Sequence, residues 1–145
     1  MLIKHLEDFN WQDVEVLEYK DSGSHYQSIT RRVLCEGMAD VPCQLRYFEI
    51  APEGHSTLER HEHAHLVVVF RGRGQALLGN RVHEIGERDV VTIPAHNWHQ
   101  FRANRGETLG FLCLVNVERD RPVLPTDEDL IRLRQDPSIA AFIRI

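Results

Sequence analysis

The sequence has few cysteines, no long apolar run and no excess of positive charge, and each shortage closes off a class of protein. Its three cysteines, Cys35, Cys43 and Cys113, are odd in number and widely spaced, so they do not read as a disulfide framework. A reducing cytoplasm is the compartment expected for them. No stretch approaches the ~20 consecutive apolar residues of a membrane-spanning helix. The opening residues, MLIKHLEDFNW, lack the apolar core of a secretion signal, and no membrane association is expected. A formal charge of −5 and a pI near 6.0 leave no basic footprint for nucleic acid, which is not expected as a partner. There are no internal repeats or low-complexity tracts. Neither a nucleophile–base pair nor a phosphate-binding loop is evident, so no organic cofactor is expected.

What the sequence does have is 145 residues, about the size of one ordinary domain and enough for a core without covalent staples. Short β-branched, aromatic or alternating segments predict strands at Val14–Tyr19, Tyr26–Leu34, Gln44–Ile50, Leu66–Arg71, Gln75–Leu78, Arg81–Glu84, Asp89–Ile93, His99–Arg102 and Leu109–Val117. Turn residues separate them at Asp21-Ser22-Gly23, Pro52-Glu53-Gly54, Arg73-Gly74, Gly79-Asn80, Gly86-Glu87, Pro94-Ala95 and Arg105-Gly106. Many short strands at close spacing imply an all-β sandwich or barrel. Only the tail reads as helical. Thr126 caps it, Asp127, Glu128 and Asp129 suit its positive end, and Arg132 and Arg134 suit its negative end. Leu130 and Leu133 are placed toward the barrel, Pro137 as the stop, and a second short turn at Ser138–Ile143.

Histidine is the compositional anomaly. Seven of the nine fall between His55 and His99, and neutral imidazole is the commonest protein metal ligand. Two metal motifs overlap in one segment. His61-Glu62-His63-Ala64-His65 fits H-E-x-x-H, in which a helix sets two histidines on one face with a glutamate base, as in zinc hydrolases. The residues that follow, Val67-Val68-Val69-Phe70 and then Gly72, oppose a helix. In an extended chain, by contrast, Glu59, His61, His63 and His65 share one face, continued by Val67 and Val69. A barrel would curl that face toward His99, which follows a strand ending at Pro94.

These two segments resemble the paired signature motifs of the cupin superfamily. Matched on Gly72, the first motif places Glu59 and His61 as the adjacent ligand pair and His65 as the later ligand. Matched on Gly86 and Pro94, the second places His99. Two places depart from the usual pattern: Glu59 stands where the first histidine is expected, and His65 where the glutamate is expected. A rival register takes His61 and His63 as the pair, which puts Val67, a non-ligand, at the third place. The resemblance covers about residues 44–117, leaving an N-terminal strand arm (1–43) and a helical tail (126–143) of a single domain spanning 1–145.

The resemblance implies a double-stranded β-helix (jelly-roll) barrel with a short C-terminal helix. It implies one divalent transition metal (Fe, Mn, Ni, Co, Cu or Zn) held by Glu59, His61, His65 and His99, with His63 outside the immediate ligand set. Three or four protein ligands leave coordination positions for a substrate. The expected function is a metalloenzyme of oxygenase, isomerase or lyase type acting on a small organic molecule. A non-catalytic sensor of a metal or small ligand, and the zinc hydrolase of the helical reading, stay open as alternatives; catalytic residues are not assigned. His55 and His83 are expected in turns or at the surface, His96 in a loop at the barrel mouth, and Phe101 as a pocket wall. A homodimer is expected, with residues 1–34 as its means, because an exposed edge strand invites pairing. Metal binding is expected to weaken near the ordinary histidine pKa of ~6.5.

Overall fold

The computed structural model describes residues 2–20, 23 and 25–145. Among them run strands β1 (Leu17–Glu18), β2 (Gln27–Cys35), β3 (Cys43–His55), β4 (His65–Arg71), β5 (Arg73–Leu78), β6 (Arg81–Gly86), β7 (Val90–Ile93), β8 (His99–Ala103) and β9 (Leu109–Asn116). Helices α1 (Asp127–Leu133) and α2 (Pro137–Phe142) follow. The strands form one antiparallel sheet, ordered β6-β5-β8-β3-β9-β4-β7, with β2 on β3 and β1 on β2. The expected all-β barrel is the observed fold.

The 13-residue β3 closes the curl. Its first part, from Cys43 to Ile50, pairs with β9, while His55 at its far end pairs with Arg102 of β8. Pro52-Glu53-Gly54 was expected to be a turn, but β3 runs through it. Glu53 absorbs the bend in the left-handed region at φ 63, and the β2–β3 register slips there between Gln27 and Ile29. The turn expected at Arg73-Gly74 falls one residue earlier, on Gly72. That residue has φ +70, and a side chain on it would stand 1.9 Å from the Thr108 carbonyl oxygen. Val14–Tyr19 yields only the two-residue β1. In the turn expected at 21–23, Asp21 and Ser22 lie outside the described residues.

Alternation turns one face of each strand inward. Val67 and Val69 of β4 are buried, as are Val91 and Ile93 of β7 and Phe111 and Cys113 of β9. Phe48, Phe101 and Phe111 form the aromatic centre, the Phe111 ring centroid lying 5.5 Å from Phe48 and 4.8 Å from Phe101. Because β2 pairs along most of β3, the second half of the expected arm is an integral barrel strand. Ahead of it, Phe9 and Trp11 pack on Tyr47 at 6.1 and 5.0 Å.

The tail follows the expected pattern with one correction. Thr126 caps α1 in a reciprocal capping box with Asp129. Leu130 and Leu133 pack on a second apolar cluster of Leu58, Leu77, Ile139, Phe142 and Ile143. Pro137 does not end α1; it opens α2, where its missing N–H is not needed. The fully buried Gln100 then ties the tail to β8, donating to the Ser56 and Arg144 carbonyls and accepting from the Arg144 N–H. Among the described residues, no helix is long and apolar enough to cross a membrane.

Candidate metal centre

His65 and His99 each open a strand, β4 and β8, and His61 sits in the bend just before β4. Mutual backbone bonds between Glu59 and His99, at 3.1 and 3.0 Å, seat β8 against the incoming chain. The His96 N–H donates to the His61 carbonyl at 2.7 Å, so the loop after Pro94 also fixes His61. Ring centroids of His61 lie 4.4 Å from His65 and 4.7 Å from His99. One ligating atom from each of these three residues lies within 4.8 Å of the others. Side chains from two separate stretches of sequence, His61 and His65 from one and His99 from the other, thus converge on a space the size of one ion.

The donor set fits a divalent cation. The Nδ1–H of His61 points to the His63 carbonyl at 2.6 Å, and that of His99 to the Asn97 carbonyl at 3.0 Å. Such bonds fix the tautomer and leave Nε2 with its lone pair toward the centre. Among the described residues, the buried Nε2 atoms of His61 and His65 have no hydrogen-bond partner, a costly arrangement that a metal would relieve. Burial is the foremost cause lowering the pKa of His61 and of His99 to about 4. Burial, then the neighbouring His99 and His61, drives His65 far below the histidine range. All three imidazoles are neutral at pH 7, the form that binds metal.

Two further expected residues lie alongside. Glu59 is buried beside His99, and its carboxylate contacts the Lys20 ammonium. His63 stacks on His61 at 3.7 Å, with its Nδ1 on Asp120 at 2.6 Å. Asp120 also accepts the backbone N–H groups of Glu62 and His63, and these bonds hold its carboxyl well below the usual range. Residues 61–64 are irregular, with a bend at Glu62 and His63, and β4 begins at His65, so the helix needed by an H-E-x-x-H hydrolase is absent. The same bend departs from the continuous extended run expected from 59 to 65. His55 is a second correction: it is buried at the end of β3 with Nδ1 on the Ser56 carbonyl. His96 is exposed in the loop, as expected.

The three histidines open onto a cavity of about 600 Å³ whose wall includes Tyr19, Arg46, Phe101 and Cys113. Burial raises the pKa of the Tyr19 phenol and the Cys113 thiol, so both stay protonated at neutral pH. Lys20, Arg46, Cys113 and Asp120 were not singled out from the sequence. A signal existed for two of them. Arg46 alternates with Phe48 and Ile50, and Cys113 with Phe111 and Val115, so strand periodicity alone turns both inward. Lys20 and Asp120 reach the site from 39 and 57 residues away in sequence from their partners, and nothing local marks them.

Comparison with known proteins decides the family. Residues 46–115 match the family described as Cupin domain. A cupin 2 conserved barrel domain protein from Rhodopseudomonas palustris superposes with a TM-score of 0.94 at 46% identity over all of both chains. The chain belongs to the cupin superfamily. A cupin-2 domain from Rhodospirillum rubrum aligns over 94% of this cupin and 91% of its own chain, at 51% identity and a TM-score of 0.88. A relative from Rhodospirillum rubrum, 1-methylthio-D-xylulose 5-phosphate methylsulfurylase, is 52% identical over 136 residues, 93% of this cupin and 86% of the relative. The cupin match includes Glu59 and all three converging histidines, whereas β2, the N-terminal segment and both helices lie outside it.

Proposed function

We propose that this cupin is a metalloenzyme acting on a small methylthio-substituted sugar phosphate, the class named for its Rhodospirillum rubrum relative. The observation that carries the reading is the set of neutral, converging imidazoles of His61, His65 and His99 opening on a cavity large enough for one small metabolite. His61, His65 and His99 would hold the ion, with Glu59 as the fourth ligand once it leaves Lys20. A divalent ion there supplies Lewis-acid polarisation of a bound carbonyl or hydroxyl oxygen.

The chain's own residues do the rest. Phe101, Phe111 and Val67 wall the cavity with apolar surface that excludes water. Tyr19 keeps its proton and can donate a hydrogen bond to an oxygen of the bound molecule. Cys113 brings a thiol into the same wall, an apt neighbour for a sulfur-bearing substrate. Of the oxygenase, isomerase and lyase chemistries open to such a site, the relative favours chemistry at the methylthio group. The unit works as one domain in the cytoplasm, a compartment suited to its three free cysteines. It associates as a homodimer through the N-terminal strands.

Incubating the metal-loaded protein with 1-methylthio-D-xylulose 5-phosphate, followed by proton NMR, tests the reading. A change in the methylthio and carbon 1 signals is expected, without oxygen uptake. Unchanged substrate that nonetheless binds would favour the sensor alternative, and oxygen consumption would favour a dioxygenase.

A further inference from the structure

The cavity contains a buried cation that forms no ion pair among the described residues. Arg46 is only 9% exposed, and a buried guanidinium ordinarily faces a carboxylate or another anion. Here its Nη2 reaches the Cys113 sulfur at 3.4 Å, its Cζ lies 5.0 Å from the Phe48 ring centroid, and its buried Nε has no partner among the described residues. Among the described residues, Arg46 makes no ion pair. Cys113 does not supply the missing charge, because burial raises its pKa and keeps it a neutral thiol. The acids that line the cavity are already engaged, Glu59 by Lys20 and Asp120 by His63.

A second guanidinium stands close by at the rim. Among the described residues, the hydrogen bonds of Arg119 go to neutral oxygens, those of the Asn116 and Val117 carbonyls and the Gln44 side chain, with the Glu36 carboxylate acting on it only through space. Gln44 precedes Arg46 by two residues on the same face of β3, so the two guanidiniums flank one patch of wall. Planar, many-donor guanidinium groups are suited to the oxygens of a phosphate.

Register fixes the separation from the metal centre. Arg46 pairs with Cys113, Cys113 with Val67, and His65 lies two residues before Val67 on the same face. Arg46 therefore stands two strand spacings, about 10 Å, across the sheet from the β4 ligand strand. A five-carbon chain can bridge such a gap with one end at the histidines and the other at the arginine.

We propose that Arg46, with Arg119 at the rim, is the subsite that binds the phosphate monoester of the substrate while its other end lies at His61, His65 and His99. This rests on the sugar-phosphate reading above for the ligand's identity, but the anion site itself is argued from the buried arginine.

Calorimetric titration of the full chain, metal-loaded and metal-stripped, with inorganic phosphate and with xylulose 5-phosphate tests it. Both ligands should bind in both forms, and unphosphorylated xylulose and acetate should bind at least tenfold more weakly. Arg46→Gln should weaken phosphate binding at least tenfold with metal content unchanged, and Arg46→Lys should recover part of the loss. Arg119→Gln should weaken it less, and serves if Arg46→Gln fails to fold. Phosphate that binds only to the metal-loaded protein would overturn the proposal, as would unchanged affinity in a folded Arg46→Gln or, if that variant fails to fold, in Arg119→Gln. Stronger acetate than phosphate binding would also overturn it, by assigning the site to a carboxylate. If phosphate binding follows Arg46 but 1-methylthio-D-xylulose 5-phosphate is not turned over, the subsite stands and the enzymatic reading falls. Turnover with phosphate binding indifferent to Arg46 and Arg119 gives the reverse.

Discussion

The imidazoles of the centre are shaped by burial as much as by position. An ordinary histidine titrates near ~6.5, where acid loss of metal would be expected from sequence alone. Desolvation lowers His61 and His99 to about 4, so in the metal-free protein these groups resist protonation until well below that range. The unfolded chain, with histidines near their ordinary pKa of 6.5, binds more protons between that value and about 4, and stability therefore rises with pH in that interval. Their contribution is complete above about pH 6.5 and is lost as pH falls toward about 4. The melting temperature of the metal-free protein is expected to drop across this window and His61→Gln to flatten the drop; an equal drop in His61→Gln would contradict the assignment. Which histidines would meet was legible in their spacing around Gly72 and Pro94. The Lys20 contact to Glu59 and the Asp120 bond to His63 were not, because both join residues that only the closed barrel brings together.

Most strands could be read from alternation, and their ends could not. Gly72 shows why a turn was misplaced by one residue. Both Gly72 and Gly74 are compatible with a turn in sequence, but only Gly72 adopts positive φ and lies against the Thr108 carbonyl. Gly72→Ala is expected to destabilise the protein by about 2 kcal/mol or more, combining left-handed strain with a clash against backbone. Chemical denaturation reads this directly, and a change under about 0.5 kcal/mol, as at an ordinary surface site, would contradict the geometry. At the other end of the chain, Thr126→Ala removes the capping box of α1 and is expected to cost about 1 kcal/mol. Metal content should not change, since α1 packs on the second cluster rather than on the centre. Loss of metal in Thr126→Ala would mean that the tail supports the site more directly than its contacts indicate.

At the scale of the molecule, β3 joins the two halves of the barrel and carries Arg46 while its end leads into the histidine segment. The family was readable because its ligands come from two compact stretches of sequence. The integral role of β2 was not, since pairing between β2 and β3 leaves no mark in either segment alone. Among the described residues, the edge of β2 pairs with just the two residues of β1, and uncovered strand edges favour association. Light scattering at micromolar concentration is expected to give twice the 16.8 kDa chain mass; a monomer would contradict the dimer.

The metal centre itself is tested by metal content per chain in purified, folded variants. Replacing His61, His65 or His99 with Ala should strip most of the ion, because each removes a neutral donor that its neighbours cannot replace. Glu59→Ala should fall between these and the natural protein, and His63→Ala should retain most of the metal, its ring being held by Asp120. An empty site in His63→Ala beside a full one in His65→Ala would contradict the centre described here.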